Sequence, residues 1–210
     1  GRALLFASAL VVLNLASVRV YADRSMAFRA APAVPFARIV ERYGQRYDDY
    51  AVRLGIPVEQ ASVLLPDLGG TLYTSKVRIY DLAMLADPTI ARTLRRDKPA
   101  FYNYVFDEVR PTFIHTHDVW SNLARFELDE RFRRDYVPIY EYRDPWALRR
   151  YGVTSHSGDY VRRDALSGAP AGGLQQLQSE WQARGEFQDA LYLAIAGEES
   201  AAETAFAQAL

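Results

Sequence analysis

The chain has 210 residues, of which 50% are hydrophobic and 13% aromatic, so it is long and apolar enough for one sizeable core and is not a disordered chain. Its 25 basic and 26 acidic residues give a formal net charge of -1, which argues against nucleic acid as a partner. Cysteine is absent, which excludes disulfide frameworks and thiolate metal sites.

The N-terminal segment carries sixteen uncharged residues, 3–18, between Arg2 and Arg19. At ~1.5 Å per residue this run falls a little short of a ~30 Å hydrocarbon core, which long arginine side chains reaching the interface can make up. We predict a transmembrane anchor over 1–22 that contacts the bilayer through 3–18. A signal peptide cleaved after Ala22 and a buried soluble helix are the alternatives.

The rest of the chain divides by composition. Residues 23–35 are predicted to form a linker rich in proline and alanine, followed by an α/β domain over 36–166 and a helical tail over 174–210. By the positive-inside rule, the excess of arginine after the uncharged run predicts that the domain lies in the cytoplasm. The arginine count is weak evidence for this orientation if the natural sequence continues upstream.

Within the domain, two short apolar runs each end in a carboxylate, 61–65 before Asp67 and 77–82 with Asp81 near its end. Gly69-Gly70 predicts a tight turn with positive φ between these two strands. The order strand, helix, strand predicts an α/β fold with a small mixed or parallel sheet flanked by helices. Further strands are predicted over 112–115, 136–142 and 160–162, with Pro138 favouring an edge position, and helices over 36–54, 88–96, 99–110 and 121–134. Asp87 before Pro88 predicts an N-cap for the helix 88–96, and 144–152 and 154–159 are predicted as loops.

Three stretches carry a family resemblance: Leu-Pro-Asp-Leu-Gly-Gly-Thr-Leu-Tyr-Thr-Ser over 65–75, Ile-Tyr-Asp-Leu-Ala-Met-Leu-Ala-Asp-Pro-Thr-Ile-Ala over 79–91, and Arg-Pro-Thr-Phe-Ile over 110–114. This pattern resembles the extracytoplasmic C-terminal domain of polytopic bacterial GT-C-type glycosyltransferases that use lipid-linked sugars. The resemblance covers 63–142 well.

That resemblance implies a periplasmic or otherwise extracytoplasmic location for the domain. It also implies that the catalytic carboxylate and the lipid-sugar site belong to membrane helices and early loops. This chain has room for one span, so that chemistry is absent if these 210 residues are the whole protein. The domain would then have kept the fold without the active site.

Asp67 and Asp81 are candidate ligand-binding residues, because carboxylates at neighbouring strand ends can hold a cation or accept hydrogen bonds from sugar hydroxyls. The alternative is that each carboxylate accepts backbone N–H bonds in a turn or at a helix N-terminus.

His115, His117 and Asp118 are the metal-like cluster. On a strand His115 and His117 point to the same face, and His156 could add a third imidazole. The alternative is chance spacing, with Asp118 acting as a helix N-cap.

The stretch 125–151 and the tail interleave arginine with aromatic residues, which are enriched at interface hot spots. A solvated charged face is the alternative interpretation. The predicted partner-contacting residues are Arg134, Tyr136, Tyr140, Tyr142, Trp146, Arg149, Trp181 and Phe187.

The tail resembles a single tetratricopeptide-type hairpin with Gly185 at its turn. One such repeat cannot bury its own apolar face, so we expect it to pack on the α/β domain or on another protein.

No phosphate-binding glycine loop, nucleophile elbow or His-Glu-x-x-His motif occurs, so the sequence predicts no catalytic residue and no cofactor. The leading hypothesis is therefore a non-catalytic, membrane-anchored accessory subunit that docks on other membrane protein subunits. The alternatives are the C-terminal domain of a longer lipid-linked-sugar glycosyltransferase and a secreted sugar- or metal-binding domain.

Overall fold

The computed structural model describes residues 2–30 and 44–209. The chain divides into two compact units, Gly1–Ile39 and Val40–Leu210. The predicted linker beyond residue 30 and the first part of the predicted helix 36–54 lie outside the described residues.

In the described part of the N-terminal unit, helix α1 runs over Arg2–Ala30 and therefore includes 23–30, which the sequence predicted as linker. Within residues 2–30 and 44–209, no helix combines the length and the apolarity that a membrane crossing needs. The transmembrane part of the fold prediction is thus not found. The uncharged run is shorter than the ~20 apolar residues of a typical span, and α1 continues from it into Arg19, Asp23 and Arg24.

The larger unit is built on a five-stranded mixed sheet with the order β2-β1-β3-β5-β4. Strand β1 pairs in parallel with β2 on one side and with β3 on the other, whereas β5 is antiparallel to both β3 and β4. This confirms the predicted mixed sheet. The strands are β1 Ser62–Leu65, β2 Arg78–Asp81, β3 Phe113–Thr116, β4 Tyr136–Arg143 and β5 His156–Arg162.

Helices flank the sheet, as the alternation of apolar and polar segments predicted. Asp87 caps one of them as predicted, since its carboxylate accepts the backbone N–H groups of Thr89 and Ile90. The α-helices among the described residues of this unit are α2 Arg46–Arg53, α3 Leu68–Thr74, α4 Pro88–Thr93, α5 Lys98–Asn103, α6 Asp118–Ala124, α7 Glu130–Asp135, α8 Pro145–Tyr151, α9 Gly173–Ala196 and α10 Glu199–Ala209.

Strand β1 shows why the core has two layers. Val63 and Leu65 belong to one buried cluster with Tyr47 and Tyr50 of α2, whereas Leu64 belongs to the other cluster. Alternate side chains of a strand point to opposite faces, so a run that is apolar at every position needs cover on both sides. The second layer is formed by α4, α5 and α7.

The turn predicted at Gly69-Gly70 is wrong. Both glycines lie in α3, and this helix connects β1 to β2. Parallel strands cannot be joined by a hairpin and require a crossover connection instead. Two further boundaries differ: the predicted helix 121–134 is broken into α6, a short 3₁₀ turn and α7, and α8 occupies a stretch predicted as loop.

The tail packs on the sheet and does not form a separate domain. Helix α9 lies against β4, where the ring of Trp181 stacks on Tyr140 with centroids 5.0 Å apart, and Gln178 donates a hydrogen bond to the carbonyl of Pro138. The predicted turn at Gly185 is wrong, because α9 continues through it and the hairpin with α10 turns at Gly197, whose φ is +83°. Gly185 instead allows close approach, since a Cβ there would lie 3.2 Å from the carbonyl oxygen of Glu141.

The stacking of Trp181 gives a test of this docking. We expect Trp181→Ala to lower the free energy of unfolding by about 2–3 kcal/mol, because a large, partly buried aromatic contact between α9 and β4 is lost. Urea unfolding followed by circular dichroism measures the change. Leu85→Ala is the control, since that side chain is 81% exposed and its loss should cost under ~0.5 kcal/mol. An unchanged midpoint for Trp181→Ala would contradict the docking of α9.

Candidate functional site at the carboxyl edge of the parallel strands

The carboxyl ends of β1 and β3 meet at one edge of the sheet. The connection that follows β1 leads to β2 on one side of it, and the connection that follows β3 leads to β4 on the opposite side of the sheet. The two connections therefore run in opposite directions from the gap between β1 and β3. In open α/β sheets ligands bind in the crevice at such a switch point. Asp67 follows β1 at this edge, and His115 and His117 lie in and directly after β3.

The structure brings together residues from two of the predicted clusters. His117 Nε2 donates to Asp67 Oδ2 over 2.6 Å, and His117 Nδ1 donates to Asp118 Oδ2 over 3.0 Å. Burial alone would lower the pKa of His117, but the two carboxylates outweigh it and raise that pKa to about 9. The imidazole is therefore a cation at neutral pH, held between two carboxylates.

Asp118 does not act as the predicted helix N-cap. The N-cap position of α6 is occupied by His117, which makes no side-chain capping bond, and Asp118 is the first residue of the helix, with a φ of +49°. Its backbone N–H donates to Oδ2 of the fully buried Asp144 over 2.6 Å. Aspartate adopts a left-handed backbone more readily than most residues, and such conformations are enriched at functional sites.

His115 is held from behind by a buried carboxylate. Its Nδ1 lies 2.6 Å from Oδ1 of Asp159, the residue opposite it on β5, and Asp159 is fully buried. Asp159 also accepts hydrogen bonds from three side chains of α2: Arg46 Nη1 at 3.2 Å, Tyr47 OH at 3.3 Å and Tyr50 OH at 2.9 Å.

The protonation states of this buried pair follow from its surroundings. Burial alone would raise the pKa of Asp159, but His115 and Arg46 outweigh it and lower that pKa to about 2. Burial lowers the pKa of His115, with Asp159 opposing the effect. We therefore assign an ionised Asp159 and a neutral His115 that carries its proton on Nδ1.

Asp159 and its partners on α2 were missed by the sequence analysis. The strand was predicted to begin only at Tyr160, which left Asp159 in a loop. The signal was a lone carboxylate directly before Tyr160-Val161, which with Gly158 forms the part of β5 that pairs with β3.

Asp81 plays the structural role that was the alternative for it. Its carboxylate is 3% exposed, accepts the backbone N–H of Ala83 over 2.7 Å, and also accepts those of Leu85 and Ala86. These bonds fold the turn after β2. Asp67 differs: it is the N-cap residue of α3 yet makes no side-chain capping bond, and its carboxylate faces His117.

Three side chains are placed well for a metal ion. One ligand atom each from Asp67, His115 and His117 lies within 4.8 Å of the other two. The predicted cluster thus keeps both histidines, while Asp67 takes the ligand position predicted for Asp118. His156 does not join this group, and its Nε2 lies 4.0 Å from Glu141 Oε1.

The predicted partner interface is largely internal. Tyr136, Tyr140 and Tyr142 are 3%, 5% and 8% exposed and belong to the two core clusters, so they offer little surface to a partner. Trp181 projects from α9 and is half-buried against Tyr140. On the outside remain Arg134, paired with Asp135, and Arg149, the half-buried Trp146 and the exposed Phe187.

A sequence model of one protein family, described as a domain of unknown function (DUF8728), matches residues 42–198. The chain belongs to this family. The match spans all five strands and every residue of the site. Comparisons with curated proteins and with solved structures return no match.

The pairing of His117 with Asp67 and Asp118 predicts that the free energy of unfolding depends on pH. Its folded-state pKa of about 9 lies above the unfolded value of ~6.5, so its stabilisation is fully present below ~pH 6.5 and is lost as pH rises through about 9. NMR titration of the His117 ring should give this value, and Asp67→Asn should lower it. A His117 pKa near 6.5 in the unmodified chain would contradict the pairing of His117 with the two carboxylates.

The burial of Asp159 among its partners predicts that its loss destabilises the folded chain. Asp159→Asn should lower the free energy of unfolding by about 3–5 kcal/mol, because it leaves the buried Arg46 without its counter-charge. Since its pKa is depressed to about 2, the stabilisation by Asp159 should be present above ~pH 4 and be lost as pH falls through about 2. Urea unfolding at several pH values measures both effects. Asp164→Asn, at an exposed ion pair, is the control and should change little.

Proposed function

We propose that the chain is a carbohydrate-binding domain of a glycosyltransferase that uses a lipid-linked sugar, lying on the extracytoplasmic side. The observation that carries this proposal is the partly exposed group of Asp67, His117 and Asp118 at the switch point of the sheet. The sequence resemblance supplies the class of enzyme, and it assigns catalysis to parts of such an enzyme other than this domain.

The chemistry of the group suits a polyhydroxylated ligand. Sugar hydroxyls both donate and accept hydrogen bonds, and the site offers carboxylate acceptors beside an imidazolium donor. The side chains of Asp67, His117 and Asp118 are 39%, 21% and 52% exposed, so a ligand can reach them. Their positions are fixed by β1, β3 and the buried Asp144, which limits the ordering cost of binding.

An aromatic pair lies on the helix that begins beside this group. Asp144 holds the backbone of Asp118 and also caps α8, whose Trp146 and Tyr151 rings make an edge contact at 5.3 Å. Helices α6 and α8 are in contact. Sugar rings pack their C–H faces on such aromatic side chains, so Trp146 is the aromatic residue that we assign to the ligand.

The docking hypothesis is less well supported by these contacts. It expected docking through the arginine- and tyrosine-rich stretch and the tail, whereas Tyr136, Tyr140 and Tyr142 are buried and α9 lies against β4. Binding through the carboxyl edge depends on none of these residues.

Ligand-observed NMR with methyl glycosides of common pentoses and hexoses, and with short oligosaccharides of them, tests the proposal. We expect at least one glycoside to bind, and Asp67→Asn and His117→Gln each to weaken that binding at least ~10-fold through the lost hydrogen bonds to a charged group. Asp164→Asn and His156→Gln are matched controls outside the group and should bind as the unmodified chain does. The proposal fails if no glycoside binds, or if the site variants bind as the controls do.

A further inference from the structure

The three side chains at the carboxyl edge also match a metal site. We infer that Asp67, His115 and His117 bind one divalent transition metal ion, with Zn²⁺ the best fit. This inference goes beyond the proposed function and does not require that a sugar binds.

The donors converge from two strands. Asp67 follows β1. His115 in β3 and His117 directly after it are two positions apart in extended backbone, so their side chains share one face of the chain. The rings of the two histidines have centroids 5.2 Å apart, and one donor atom from each of the three residues lies within 4.8 Å of the others. Metal–ligand bonds of ~2.0–2.2 Å place donor atoms ~3–3.5 Å apart, which a small shift of the exposed Asp67 side chain allows.

Each histidine makes a hydrogen bond through Nδ1 to a carboxylate. Asp159 binds Nδ1 of His115, and Asp118 binds Nδ1 of His117, so in both rings Nε2 is the nitrogen directed to the metal. Metal-binding histidines nearly always make such a bond through their second nitrogen, because it fixes the tautomer and the ring orientation. The sequence-based alternative of chance spacing does not account for two such carboxylates.

The left-handed backbone of Asp118 belongs to the same arrangement. Its φ of +49° turns the chain directly after His117, and the fully buried Asp144 holds the Asp118 N–H from below. This turn brings the Asp118 carboxylate back onto the His117 ring. Asp118 is not the N-cap of α6, since His117 occupies that position.

The donor set selects the class of metal. Two imidazole nitrogens and one carboxylate suit Zn²⁺ and neighbouring first-row ions, whereas Ca²⁺ and Mg²⁺ prefer all-oxygen sites. Three protein ligands leave the fourth position of tetrahedral Zn²⁺ for water or another oxygen ligand. Without metal, a proton on His117 Nε2 bridges to Asp67. The cation takes the place of that proton, which is released to solvent.

Titration of the tag-free chain with Zn²⁺ by calorimetry, and with Co²⁺ by its visible absorption, tests the inference. We expect saturation at one ion per chain, with the absorption of a four-coordinate Co²⁺ site. Asp67→Ala and His117→Ala should each weaken binding more than ~10-fold. Asp118→Asn leaves all three ligands in place and should still weaken it ~10–100-fold, as loss of an orienting carboxylate does.

Asp164→Ala and His156→Gln are the matched controls and should bind as the unmodified chain does. Circular dichroism establishes that each variant is folded. The inference is overturned if neither ion saturates at one equivalent, or if folded Asp67→Ala and His117→Ala variants keep the affinity of the controls. Glycoside binding repeated in EDTA separates the two proposals. If a glycoside binds in EDTA and the titrations show that the chain binds neither ion, this inference is overturned and the proposed function stands.

Discussion

The buried carboxylate of Asp159 is the interaction on which the rest of the site depends. Asp159 is a residue of β5, and its carboxylate accepts hydrogen bonds from Tyr50 and Arg46 of α2 and from His115 of β3. It therefore joins three elements. A buried charge is costly unless it is paired and fully hydrogen-bonded, and these donors meet that condition. The pairing therefore fixes α2 on one face of the sheet and fixes His115 at the carboxyl edge.

This arrangement gives two histidines of one strand different states. His115 is buried, neutral and oriented by Asp159, whereas His117 is partly exposed and is held as a cation between Asp67 and Asp118. Differences in burial and in neighbouring charge separate the pKa values of the two rings. Such separation by environment is common where side chains do chemistry or bind ligands.

Local patterns in the sequence predicted the mixed sheet, the edge position of Pro138 and the cap at Asp87, because each depends on neighbouring residues. Asp67 and the two histidines were also singled out, but their meeting was not, since it depends on β1 and β3 being neighbours in the sheet. The contacts of Asp159 with α2 join residues 109 to 113 positions apart, which no local pattern encodes. Gly69-Gly70 was mistaken for a turn because glycine in the first turn of a crossover helix looks the same in sequence.

The tautomer of His115 tests this account most directly. Long-range ¹⁵N–¹H correlation of the imidazole rings at neutral pH, without added metal, distinguishes the two nitrogens of each histidine. The account predicts a neutral His115 ring with its proton on Nδ1, where it donates to Asp159. A protonated His115, or a neutral ring with the proton on Nε2, would contradict the account, because the account assigns a neutral ring that donates from Nδ1 to the ionised Asp159.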